Sequence, residues 1–355
     1  MKGFKNKGLF ARLIAPLMLA VMCGGCFCAS VFSCNRGNAE AKEEVKTAEE
    51  NKIYHIFFHS LILDEEKAFK SKKSEGYNYW MTTRSEFNAI LVGLYKNDFV
   101  LVDIESLVSF TKDGRTVIHS ASLPKGKKPL VISFDDVNYY EYMKNDGFAS
   151  RLCVDALGRV YAAVKTGNSE IKDYEGDHIP ILETFIQNHP DFSWNGGRGV
   201  LAVTGYEGLL GYRNPVEAKA VCDALKKKGY KFASHSYTHT QKFKDNSITV
   251  ERLTEELDRW ENDIGSVCGS TQIFISPFGM HLKENDRRFK LLLSRGYRIY
   301  CPVDSKMPTY YGAGFMIQGR MSLDGLTLLK YYNRVQTNLG LEASLITSSN
   351  RPPIN

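Results

Sequence analysis

Pro129-Leu130-Val131-Ile132-Ser133-Phe134-Asp135-Asp136 decides how this chain folds. A short, nearly continuous apolar run closed by two acids reads as a buried strand that gives way to a polar loop. Comparable runs lie at Ile53 to Leu63, Phe99 to Ile104, Gly199 to Thr204, Lys231 to Ala233, Gln272 to Ile275 and Tyr297 to Val303. Strands that alternate with helical patterns predict a largely parallel α/β sheet or barrel. In such folds the strand exits carry ligands and chemistry, which places Asp135 and Asp136 on the edge that matters.

Helix signals fill the gaps between the runs. Asn214, Pro215 and Glu217 supply an N-cap, a first-turn proline and a capping acid, and Gly229 closes the same helix. Val250, Leu253, Leu257, Trp260 and Ile264 recur at helical spacing, as do Phe289, Leu292 and Leu293 before Gly296. Residues 147–198 break the rhythm, with one clear helix near Ile181 to Asn188, and are read as an insertion over the mouth of the fold. The folded domain is expected over 52–345, with a flexible tail at 346–355.

Charge and hydropathy set the ends and the partners. Lys2, Lys5, Lys7 and Arg12 flank an apolar stretch from Leu13 to about Cys34, so residues 1–34 read as a secretion signal or membrane anchor. Residues 35–51, rich in Ala, Glu and Lys without apolar periodicity, read as a polar tether. The expectation is an exported chain held at the membrane through its N-terminus and working outside the cytoplasm. The net charge of +6 owes four charges to that start; without them, 42 of the 46 Lys and Arg face 40 acidic residues. So even a balance gives no electrostatic reason to expect a polyanionic partner, and no nucleic-acid partner is expected. Cys153, Cys222, Cys268 and Cys301 are widely separated and read as buried free thiols.

His235-Ser236-Tyr237-Thr238-His239 follows the short strand Lys231 to Ala233, so two imidazoles also stand at a strand exit. Two adjacent carboxylates repel unless a cation lets both stay ionised. Two neutral imidazoles and one carboxylate can hold a divalent metal with positions left for water and substrate, and the second carboxylate is then free to move a proton. The combination predicts metal-assisted hydrolysis. His55 and His59 share one face of the first strand; His59, near the strand end, can border the cleft, but the favoured reading is a hydrogen-bonded core histidine. Thr204-Gly205-Tyr206-Glu207-Gly208 lacks the pattern of a phosphate loop and reads as a turn that can present Tyr206 or Glu207.

Ser133-Phe134-Asp135-Asp136 resembles the Thr-Phe-Asp-Asp motif of the polysaccharide deacetylase family, the NodB-like carbohydrate esterases. Ala233-Ser234-His235-Ser236-Tyr237-Thr238-His239 is similar to that family's metal-binding His motif, and Ser276-Pro277-Phe278-Gly279 to its Pro-Tyr/Phe-Gly motif. The resemblance runs in order from roughly Ile53 to Leu328. It implies a distorted (β/α) barrel in which Asp136, His235 and His239 hold a divalent metal, zinc with cobalt or nickel as alternatives, and Asp135 is the general base. It also implies an oxyanion held by the metal and the Phe278 backbone N–H. The implied reaction is hydrolysis of N-acetyl groups from an N-acetylated polysaccharide of the envelope or the surroundings.

The chain also departs from the family pattern. Val137 stands for the Gly after the Asp pair, and Ile275 for the Arg that orients the base. The Leu-x-His motif that supplies the general acid is absent, and Asp304 answers the later Asp motif without its Asp-Trp. His281 becomes the candidate acid, with His178 and Glu207 behind it. Pro277, Phe278, Asp304 and Arg320 are the candidate substrate contacts, Arg320 with a second reading as partner of a carboxylate. The alternative function is a catalytically impaired glycan-binding protein that keeps the fold and metal site.

Overall fold

The computed structural model describes residues 52–167 and 169–354. The expected signal or anchor and the tether lie outside the described residues. Among the described residues no helix is long and apolar enough to cross a membrane.

A ten-stranded sheet organises the molecule. Its hydrogen-bonded order is Thr309–Gly312, Phe315–Gln318, Ile299–Cys301, Ile273–Ile275, Lys231–Ser234, Val200–Val203, Lys128–Asp135, Tyr54–Phe58 and Met321–Ser322, with Phe99–Leu101 also on Lys128–Asp135. Every pairing is parallel except that of Thr309–Gly312 with Phe315–Gln318. Leu130 pairs with Tyr54 on one side and Leu101 on the other, while Ser133 to Asp135 pair with Val200 to Ala202. Phe99–Leu101 therefore fills the lower half of an edge whose upper half Val200–Val203 takes.

One segment ties the two ends of the sheet together. Met316 and Ile317 pair with the Ile299–Cys301 strand, Arg320 bridges to Val303, and Met321 and Ser322 pair with Ile56 and Phe57 of the first strand. The sheet is thereby curled into a distorted barrel, as expected. Strand alternation then sorts side chains into two layers. Val131, Val200, Ala202, Ala233, Ile275 and Cys301 form an inner core, and Ser133 and Asp135 continue the inward face of Val131 toward the mouth. Leu130, Ile132, Phe134, Leu201 and Val203 face outward into a larger core shared with the surrounding helices.

Two sequence expectations change here. The 147–198 excursion contains a three-stranded antiparallel sheet, Arg151–Val154, Val160–Thr166 and Ser169–Asp173, before the helix His178–Asn188. That helix buries Ile179, Ile181, Leu182 and Ile186 in the outer core, so only its start, Asp177 and His178, borders the mouth. Nor is 346–355 a loose tail: Arg351 is buried and its guanidinium bonds Glu86, Asn78 and the Met81 carbonyl. A Ser-, Asn- and Pro-rich terminus hides such an anchor, because one buried ion pair leaves no periodicity. Among the described residues Cys153, Cys222, Cys268 and Cys301 are free and buried, as expected.

Candidate active site

The site is built from strand exits. Asp136, His235 and His239 each offer one ligand atom, all within 4.8 Å of one another. Asp136 leaves its strand at φ 57, Ser236 and His239 turn at φ 58 and 48, and Phe278 at φ 53. Left-handed backbone is costly for residues with a Cβ, so four such turns around one point mark imposed geometry. Gly279 completes the Phe278 turn at φ 68, where a Cβ would collide with Val303.

Each ligand is held by a second contact. Tyr140 donates its hydroxyl to Asp136 Oδ1 at 2.6 Å. His235 donates Nδ1–H to the Ile275 carbonyl at 2.7 Å, which leaves Nε2 as the lone-pair nitrogen. Buried Glu256 accepts from the backbone N–H of Tyr237 and Thr238 and from the Thr238 hydroxyl, pinning the loop between the two histidines. Burial lowers His235 to about 4, partly offset by Asp135, so the imidazole is neutral at neutral pH as ligation requires. Burial works to raise Asp136, but His239, His235 and His59 outweigh it and hold the carboxyl down to about 2. Two imidazoles and an ionised carboxylate in this arrangement fit a divalent transition metal.

Asp135, the neighbouring carboxylate, faces a different partner. Arg320 Nη1 lies 2.8 and 3.0 Å from its two oxygens and donates also to Ser133 Oγ at 3.0 Å. Ser133 in turn meets His55 Nε2 at 3.0 Å, so His55 is a hydrogen-bonded core histidine. Burial would raise Asp135, yet Arg320, and after it His235, keep its pKa below the ordinary carboxylate value. Arg320 is wholly buried and stacks its guanidinium 4.2 Å from the Phe57 ring centre.

The remaining candidates fall in other places. Arg320 is a partner of Asp135, so its substrate-contact reading is replaced by the other one. His281 is exposed and engages the Val303 carbonyl through Nε2 at 2.6 Å, not a side chain of the site. Asp304 serves a turn, accepting from the Lys306 N–H at 2.9 Å. Pro277 is buried in its turn and shapes the loop, whereas Phe278 is half exposed, its ring 4.4 Å from that of His239. His178 is buried among Phe58, Phe87 and Phe134, which lowers it to about 3 and makes it a core residue. Glu207 accepts from the Glu141 N–H at 2.6 Å. His59 lines a pocket with Asp135 and Asp136, and its Nδ1 is buried without a hydrogen-bond partner among the described residues.

Tyr140 and Glu256 were not singled out from the sequence. Tyr140 carries a faint signal, since it follows the Asp pair by four residues; Glu256 carries less, as one acid on an amphipathic helix.

No family model matches the chain, and no curated protein does. Solved structures do. The deacetylase PplD of Streptococcus pyogenes, determined with acetate, is 11% identical, with 77% of this chain and 93% of that one covered and a TM-score of 0.43. A polysaccharide deacetylase of Bacillus cereus is 14% identical, covering 83% and 69%, with a TM-score of 0.45. IcaB of Ammonifex degensii is 11% identical, covering 84% and 97%, also at 0.45.

Proposed function

We propose that this chain is a metal-dependent N-deacetylase of a polysaccharide built from N-acetylated amino sugars, working outside the cytoplasm and held at the membrane by its N-terminus. The observation that carries the reading is the division of labour between adjacent carboxylates: Asp136 joins two imidazoles, and Asp135 is held ionised beside them by a buried arginine. The basic, apolar start of the chain supports the location.

A divalent metal on Asp136, His235 and His239 would supply Lewis-acid polarisation of the amide carbonyl and acidify water. Asp135 accepts the proton of the attacking water as its oxygen bonds to the carbonyl carbon. Arg320 fixes the carboxylate's orientation, and its charge keeps Asp135 ionised and able to accept at neutral pH. The backbone N–H of Phe278 donates to the developing oxyanion. His59, an imidazole on the same pocket that the ligand set leaves unused, protonates the amine as the C–N bond breaks, giving acetate and a free amino sugar. His281 drops out of that role because its Nε2 is committed to Val303.

The test is acetate release by the purified full-length protein, loaded with zinc, cobalt or nickel, from chitooligosaccharides, peptidoglycan and acetylated exopolysaccharide. Release with one of them supports the reading. Binding without release favours instead the impaired glycan-binding protein, a reading motivated by Ile275 in the orienting Arg position and by the absent acid motif.

A further inference from the structure

We infer that Tyr142 and Tyr206 form a stacking platform for the sugar rings of a carbohydrate chain that runs away from the metal-ligand triad. The inference rests on the deacetylase reading for its ligand class.

The rings flank Tyr140, whose hydroxyl bonds Asp136. Tyr142 stacks on Tyr140 with centroids 5.8 Å apart at 15°, and Tyr206 packs against the same ring at 5.7 Å. Tyr140 is 8% exposed, whereas Tyr142 and Tyr206 are 49% and 50% exposed. The buried ring thus connects a metal ligand to two half-open aromatic rings, and the surface they make is continuous with the reactive centre. Trp80 and Tyr331, two exposed aromatics elsewhere, have no such link to the ligands among the described contacts.

Both loops are fixed before any ligand arrives. Asn138, wholly buried, donates its amide to the Thr204 and Gly208 carbonyls at 3.0 and 2.7 Å and accepts from the Thr204 N–H. Glu207 accepts from the Glu141 N–H, and Arg213 pairs with Glu141 at 2.9 Å. Gly208, at φ 105, lies where a Cβ would run into the Tyr212 carbonyl. Tyrosines on a rigid frame lose little freedom on binding and present a wide apolar face with a polar rim. A pyranose has the matching shape: an apolar face of axial C–H groups and hydroxyls around its edge, so the ring covers tyrosine while its edge stays in water. Lys73 reaches the Tyr142 ring at 5.8 Å and is the one cation a sugar would have to share that ring with among the described contacts.

The probes are the β-1,4- and β-1,6-linked pentamers of N-acetylglucosamine, titrated by calorimetry into full-length protein stripped of metal with chelator, so that binding is read without turnover. Wild type should bind at least one pentamer, and Y142A/Y206A should weaken that affinity by roughly tenfold or more. Y142F/Y206F should bind like wild type. Where the double variant unfolds, Y142A and Y206A are measured singly and each should weaken binding. The platform is overturned if wild type binds neither pentamer, or if removing the rings changes affinity by less than about twofold. Wild type that binds through the rings but releases no acetate leaves the platform standing and fails the deacetylase reading alone.

Discussion

Among the described residues two arginine–carboxylate pairs have both side chains almost wholly buried, and they are built differently. Arg351 and Glu86 are both fully inaccessible, and Arg351 spends Nε, Nη1 and Nη2 on Glu86, Asn78 and Met81. Arg320, equally buried, engages Asp135 and Ser133 through Nη1 alone, and its Nε and Nη2 have no hydrogen-bond partner among the described residues. A buried charge gains most when all its hydrogen-bonding capacity is met. The first pair meets that condition and locks a chain end. The second forgoes part of it, and its carboxylate stands beside three metal-type ligands.

The comparison breaks most visibly at Asp135. Asp135→Asn should lower acetate release by about 10² to 10⁴-fold while metal content, read by elemental analysis, stays at the wild-type level. Retained turnover would remove Asp135 as the base. At the other pair, Arg351→Met should cost about 3 to 5 kcal/mol in denaturant unfolding, because Glu86 is left buried and unpaired, with turnover of the folded fraction unchanged.

Arg320→Met joins the two effects. Turnover should fall by about tenfold or more through misorientation of Asp135. The acid limb of the pH–rate profile should also move to higher pH. Asp135 sits below its ordinary pKa of 3.8 in the folded chain, so the pair contributes stability above that value and loses it as pH falls through the folded pKa. Removing the guanidinium removes that contribution at neutral pH.

Asp177 sharpens the contrast as a buried carboxylate with no arginine. Burial raises it to about 6, against its hydrogen bonds from Ile179 and Tyr139. Between roughly pH 4 and 6 the folded chain keeps a proton that the unfolded chain has released, so stability declines as pH rises through that window. Asp177→Asn should flatten the decline and stabilise the protein at neutral pH by about 1 to 3 kcal/mol, as followed by urea unfolding at several pH values.

Much of the frame was legible because it is local. The Pro129–Phe134 run, the Asp pair and the HxxxH spacing are short patterns whose period or position fixes a strand and its exit. Pairings between distant residues are not of that kind. Glu86 could be read as the acid of a capping box with Thr83, which it is, but not as the partner of Arg351. The inward face of Arg320 was readable, since Met316, Gln318 and Arg320 alternate and Met316 belongs to the inner core. Its meeting with Asp135 was not, because that depends on which strand closes the sheet. The three strands of the 147–198 excursion escaped for a third reason: the middle one ends in exposed polar residues and the last is polar and exposed on most of its residues, so neither shows a clear apolar run.

The closing segment also sets a clock. During synthesis at about 5 to 20 residues per second, the first strand emerges some tens of seconds before Met321 and Ser322 arrive to pair with it. Until then the Tyr54–Phe58 edge lacks a neighbour that it will later have, and Asp135 lacks Arg320. Asp136, His235 and His239, together with the Glu256 and Ile275 groups that hold the two histidines, all precede residue 276. All five are therefore synthesised before Arg320, and the partner that orients Asp135 comes last, with the strand that shuts the barrel.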